Sequence, residues 1–157
     1  MFTLGEIIDL AIRIENNGEN TYRKAQDEVA SSELASMLQE LADDEAEHEK
    51  WFAKFREGMD TEIEDSKMEE IGRSILQSVL GNQAFSMNDA DFSRIDNITN
   101  LLELSIEFEK DTIIFYGMLK EFIKDDKVLS GIDQIIEEEN RHIKRLEDVI
   151  KKRITES

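Results

Sequence analysis

Apolar residues recur every three or four positions along most of this chain, the period of an amphipathic helix. Ile8, Ala11, Ile12, Tyr22, Ala25 and Val29 trace one face of a helix predicted over 4–29, and Thr3 with Glu6 three residues on has the spacing of a capping box at its start. Ser31 or Ser32 offers the next N-cap, and Leu34, Met37, Leu38, Leu41, Phe52 and Phe55 carry a second helix to about Arg56, before Gly58. Asp96 or Asn97 can cap a third, with Leu102, Ser105, Glu109, Tyr116, Leu119 and Ile123 on its inner face and an end near Lys124. A fourth begins near Asp126 and turns Ile132, Ile135, Glu139, His142, Leu146 and Val149 inward, before Lys151, Lys152 and Arg153, whose charges suit a helix C-terminus. The pattern weakens over 58–95. There Ser66 and Glu69 predict one shorter helix over 67–80, stopped by Gly81.

The four long segments are two copies of one unit. An offset of 94 carries Leu10 onto Leu104, Ile12 onto Ile106, Glu15 onto Glu109, Tyr22 onto Tyr116, Leu38 onto Ile132, Glu45 onto Glu139, His48 onto His142 and Phe52 onto Leu146. Each copy reads as an antiparallel helical hairpin, and two packed hairpins make a four-helix bundle with a long crossover. The expected class is all-α, in one domain over 1–157.

Composition narrows the function. With no proline, seven glycines and 36% charged residues, little could punctuate a sheet. A formal net charge of -18 repels phosphate backbones and anionic lipid headgroups while drawing cations, so neither nucleic acid nor a membrane is an expected partner. The absence of cysteine rules out disulfides, thiolate-held iron and a thiol nucleophile. No stretch is apolar enough to span a membrane and the first residues do not read as an export signal, so a cytoplasmic protein is expected.

Candidate chemistry lies in Glu45-Ala46-Glu47-His48 and Glu139-Asn140-Arg141-His142. A glutamate and a histidine three apart share one helix face and can reach one ion, and these two motifs contain the chain's only histidines. Glu15 and Glu45 lie 15 residues either side of a turn near 30, as Glu109 and Glu139 do about 124, so antiparallel hairpins bring all four to one layer. Their neighbours on the inner faces are apolar or small: Ala11 and Gly18, Leu41 and Phe52, Ser105 and Thr112. Unpaired buried carboxylates cost several kcal/mol each, so these must be protonated, paired or metal-bound, and two divalent ions would balance four carboxylates. Tyr22 and Tyr116 are placed to donate hydrogen bonds near that layer, whereas Glu19, Glu47, Glu107 and Glu138 fall elsewhere on the helical wheel and read as surface charge or local pairing.

This ligand set resembles that of the ferritin-like di-iron carboxylate superfamily. The runs from Ile14 through Tyr22 and from Glu107 through Tyr116 are most similar to its rubrerythrin-like branch. The resemblance implies a ferritin-like four-helix bundle holding two iron ions, with Glu45 and Glu139 bridging, Glu15 and Glu109 terminal, and His48 and His142 on one ion each. The same ligand types suit manganese or a mixed pair. It further implies a peroxidase- or ferroxidase-type oxidoreductase that reduces hydrogen peroxide or dioxygen; the alternative is a non-catalytic iron-binding or iron-sequestering protein. The chain departs from rubrerythrins proper in having no cysteine for a rubredoxin-like domain, so electrons are expected from an external donor such as a rubredoxin-like protein. It also has Ile106 and Thr112 where a further glutamate tends to lie. No haem is expected, since only Ala46 and Glu47 stand between the ligands. A homo-oligomer is expected, with a dimer favoured.

Overall fold

The computed structural model describes residues 3–57, 70 and 95–156, with the side chains of 95–97 and 154–156 left aside. Four long helices account for nearly all of them: α1 (Leu4–Glu28), α2 (Ser32–Arg56), α3 (Ile95–Leu119) and α4 (Asp126–Glu156). The predicted helix over 67–80 lies outside the described residues.

Side-chain caps fix where the helices begin. The Thr3 hydroxyl accepts from the Glu6 backbone N–H at 3.1 Å, and Ser31, rather than Ser32, accepts from the Leu34 N–H at 3.2 Å. Helix α4 starts at Asp126 as the sequence suggests, and its cap is Asp125, whose carboxylate accepts from the backbone N–H groups of Lys127 and Val128. Two expectations for α3 are corrected. Asp96 and Asn97 are already helical, so neither is the N-cap, and the α-helix ends at Leu119 rather than near Lys124. A single 3₁₀ turn, Lys120–Phe122, follows and is closed by Ile123 N–H donating to the Lys120 carbonyl. The tighter turn keeps Ile123 buried while the chain reverses into α4.

Within the first hairpin, Asn16 pairs with Glu49, Arg23 with Asp43 and Arg56 with Asp9. These partners step along α1 and α2 in opposite senses, which makes the helices antiparallel. Across the hairpins α2 lies against α4, through Glu40–Arg145 at 2.6 Å and Glu33–Lys152 at 3.9 Å, and α1 reaches α3 through its tyrosine.

The core falls into two apolar clusters. One joins the first half of α1, Phe52 near the end of α2, the second half of α3 and the start of α4: Ile8, Ile14, Phe115, Tyr116, Leu119 and Ile132 belong to it. The other joins the end of α1, the first half of α2, the start of α3 and the second half of α4, with Ala25, Leu38, Leu41, Leu102 and Leu146. Helices α1 and α4 therefore run one way and α2 and α3 the other. The end of α2 and the start of α3 lie at opposite ends of the bundle, which is why the two hairpins need so long a connection. The inner faces predicted for α3 and α4 are buried as expected, Val149 only partly. Between the two apolar clusters lies a polar layer.

Candidate metal centre

Six side chains fill that layer, and all six are shut off from solvent: Glu15, Glu45, Glu109 and Glu139 at 0% exposure, His142 at 2% and His48 at 4%. Each helix supplies what its sequence predicted. Glu15 and Glu109 come from the middles of α1 and α3, while α2 and α4 each present a glutamate and, one turn on, a histidine.

They assemble as two overlapping groups whose donor atoms lie within 4.8 Å of one another: Glu15, Glu45, His48 and Glu139 in one, and Glu45, Glu109, Glu139 and His142 in the other. Glu45 and Glu139 belong to both. His48 Nδ1 stands 3.2 Å from Glu139 Oε1 and 3.5 Å from Glu15 Oε2. His142 Nδ1 stands 3.1 Å from Glu45 Oε1 and 3.6 Å from Glu109 Oε1. The two imidazoles are stacked with centroids 6.3 Å apart.

This layer is short of hydrogen-bond partners. Both oxygens of Glu45, both of Glu139, one each of Glu15 and Glu109, and Nδ1 of both histidines are buried without one. Orphaned atoms of this kind are costly, and their convergence is the chemistry a divalent cation satisfies. Carboxylate oxygens with one imidazole nitrogen per group suit iron, manganese or zinc, with Glu45 and Glu139 in place to be shared.

Electrostatics say the same. Burial, with Glu139, Glu15 and Glu109 close by, pushes the Glu45 carboxyl well above its ordinary range; burial with Glu109 and Glu15 does so for Glu139. Glu109 is held down, because contacts with Glu139, His142 and Tyr22 outweigh its burial. Burial alone would lower both imidazoles, but the carboxylates beside them prevail: Glu139 and Glu15 raise His48 to about 11, and Asp44, Glu109 and Glu139 raise His142 to about 10. Without a cation the site thus stores protons where the carboxylates crowd.

The tyrosines reach across. Tyr22 donates to Glu109 Oε1 at 2.8 Å and Tyr116 to Glu15 Oε1 at 2.5 Å. Each hairpin's phenol therefore holds the other hairpin's glutamate, as expected in kind, with the crossing an addition. Burial and these glutamates raise both phenols, so they remain donors at neutral pH.

Two residues escape a reading of the sequence. Glu138 does not point away as surface charge: its Oε2 lies 2.5 Å from His48 Nε2, although it also sits 3.8 Å from Arg141. Asp44 Oδ2 lies 3.0 Å from His142 Nε2. The offset of 94 that pairs the glutamates and histidines also pairs Asp44 with Glu138, each directly before its motif. That signal could have found them; the helical wheel of a single helix could not, because the partner histidine is on another helix.

Of the solved structures, a ferritin-like diiron-carboxylate protein from Thermotoga maritima is similar to this chain in fold, with a TM-score of 0.70 and 23% sequence identity over 96% of this chain and 95% of that one. No curated protein matches significantly. Among the described residues, no helix is long and apolar enough to cross a membrane. The Rubrerythrin family model matches residues 6–150, nearly the whole length, and the chain belongs to the rubrerythrin family.

Proposed function

We propose that this chain is a di-iron oxidoreductase that reduces hydrogen peroxide or dioxygen and is re-reduced by a separate electron carrier. The observation that supports it most is the pair of overlapping groups, each with a terminal glutamate and a histidine of its own, around two shared and orphaned glutamates. Glu15 and His48 would hold one ion, Glu109 and His142 the other, and Glu45 and Glu139 would bridge them. Two ferrous ions held there would supply the two electrons that, with two protons, turn hydrogen peroxide into two waters.

The protein's part is to hold and tune. Burial excludes bulk water from the layer, so charges inside it interact strongly. Tyr22 and Tyr116 each satisfy one oxygen, of Glu109 and of Glu15 respectively, which restrains those carboxylates. The raised Glu45 and Glu139 mean that loading ions displaces protons, which couples affinity to pH. The acidic surface would draw in ferrous iron and a donor carrying a basic face.

Stopped-flow mixing of ferrous-loaded, oxygen-free protein with peroxide tests this. About one equivalent of peroxide should be consumed per chain, and an added reductant should restore the ferrous state for further turnovers. Iron that is oxidised once and retained would favour sequestration instead. No oxidation by either peroxide or dioxygen would overturn the proposal.

A further inference from the structure

The seam between α2 and α4 is a ladder of acid–base pairs: Glu33–Lys152, Glu40–Arg145, Asp44–His142 and Glu138–His48, in order along the bundle. The outer rungs are exposed salt bridges that contribute little. In the inner rungs the basic partner is a buried imidazole whose other nitrogen faces the orphaned glutamates. A carboxylate can only accept, so Nε2 of each ring carries a hydrogen, and in a neutral ring Nδ1 is left as the nitrogen with a free lone pair. The inner rungs are also reciprocal. Asp44 of the first hairpin holds the second hairpin's histidine, and Glu138 of the second holds the first's.

They are not equal. Glu138 has the longer side chain, approaches to 2.5 Å and is 28% exposed; Asp44 stands at 3.0 Å and is 50% exposed. A shorter contact, less open to competing water, restrains its ring more firmly. Resting on the di-metal reading above, we infer that Asp44 and Glu138 are positioning residues which present Nδ1 of the opposite hairpin's histidine to the metals, and that their inequality makes the His48 position the tighter of the two.

The test uses the full chain with cobalt(II) as the titrant and zinc(II) for spectroscopy. Wild-type protein should take two cobalt ions in two resolvable steps. Glu138→Gln should weaken the tighter step and Asp44→Asn the weaker one, each by about 10–100-fold, with Glu138→Asp and Asp44→Glu restoring part of the loss. In ¹H–¹⁵N spectra of the zinc-loaded protein, the only two imidazoles should both show Nε2–H and metallated Nδ1, and each Gln or Asn variant should move one ring. Metallated Nε2, or variants with unchanged affinities and ring signals, would overturn this inference while leaving a two-cobalt wild type intact. A wild type that takes fewer than two cobalt ions would overturn it together with the di-metal reading.

Discussion

Leu10 and Leu104 stand at equivalent places in the two hairpins, yet Leu10 is 3% exposed and Leu104 is 45% exposed. Five other pairs at the same offset behave alike: Glu15 with Glu109, Glu45 with Glu139, His48 with His142, Tyr22 with Tyr116 and Asp44 with Glu138 each share one role. The hairpins are alike where donor atoms must converge and free to differ where side chains only fill space. The same contrast shows beside the site. A Cβ on Gly18 would come 3.1 Å from Glu45 Oε2 and 3.3 Å from the Phe108 ring. The equivalent position, Thr112, is buried with its hydroxyl donating to the Phe108 carbonyl, and the equivalent of Phe108 is the smaller Ile14.

The hardest way to break this likeness is at the shared carboxylates. Glu45→Ala and Glu139→Ala should each lower metal affinity by on the order of a hundredfold or more, and by similar amounts, because each removes a ligand common to both groups. The metal-free forms should melt no lower than wild type, since one crowded buried carboxylate has gone. Calorimetric titration beside thermal melts checks both; a large effect from one and none from the other would deny the symmetry.

The next largest effect exposes the difference between the hairpins. Leu10→Ala should cost about 2–5 kcal/mol of unfolding free energy, whereas Leu104→Ala should stay within about 0.5 kcal/mol. Denaturant unfolding of the metal-free proteins gives both values, and equal costs would contradict the contrast.

Loss of protons from the layer comes next. His48 and His142 rise from 6.5 to about 11 and about 10 on folding, so their stabilisation is fully present below pH 6.5 and is lost as pH climbs through those folded values. Glu45 and Glu139 act in the same direction: raised above 4.5, they favour the folded state less as pH rises. The metal-free protein should therefore melt at progressively lower temperature from pH 7 to pH 10. A flat or rising profile would show that the layer does not hold these protons.

Gly18→Ala is smaller, about 1–3 kcal/mol, because the Phe108 ring and the Glu45 carboxylate must both give way. It should also disturb metal loading, which Thr112→Ser, at the equivalent place, should leave unchanged. Smallest are Tyr22→Phe and Tyr116→Phe, each about 1–2 kcal/mol through a glutamate oxygen left without its donor. Because each phenol donates to one buried glutamate of the other hairpin, nearly equal values are expected, readable from melting curves.

Much of this architecture is legible in the amino-acid sequence. Helical period and caps locate four helices, and a fixed offset identifies two hairpins, because core packing and hairpin geometry are written locally. The six residues of the buried polar layer are legible for the same reason: each is where a helix of known length puts it. What stays hidden depends on contact between helices distant in sequence. Glu138 looks solvated on its own wheel and meets His48 only across the α2/α4 seam. Leu104 is matched to the buried Leu10 by the repeat, yet it falls outside the inner face that Leu102, Ser105 and Glu109 trace on α3, and it is exposed. The start of α3 escapes because polar residues such as Asp96 and Asn97 can cap a helix or lie within its first turn, and its end because the 3₁₀ turn Lys120–Phe122 carries the helical spacing on to Ile123.

The central claim is that one buried layer holds two ions. Anaerobic titration of the metal-free chain with ferrous iron, with free iron measured at equilibrium, tests it most directly. Saturation at about two irons per chain, with protons released on loading, is the predicted result. Saturation at one iron, or no binding above that of a chain lacking both His48 and His142, would contradict it.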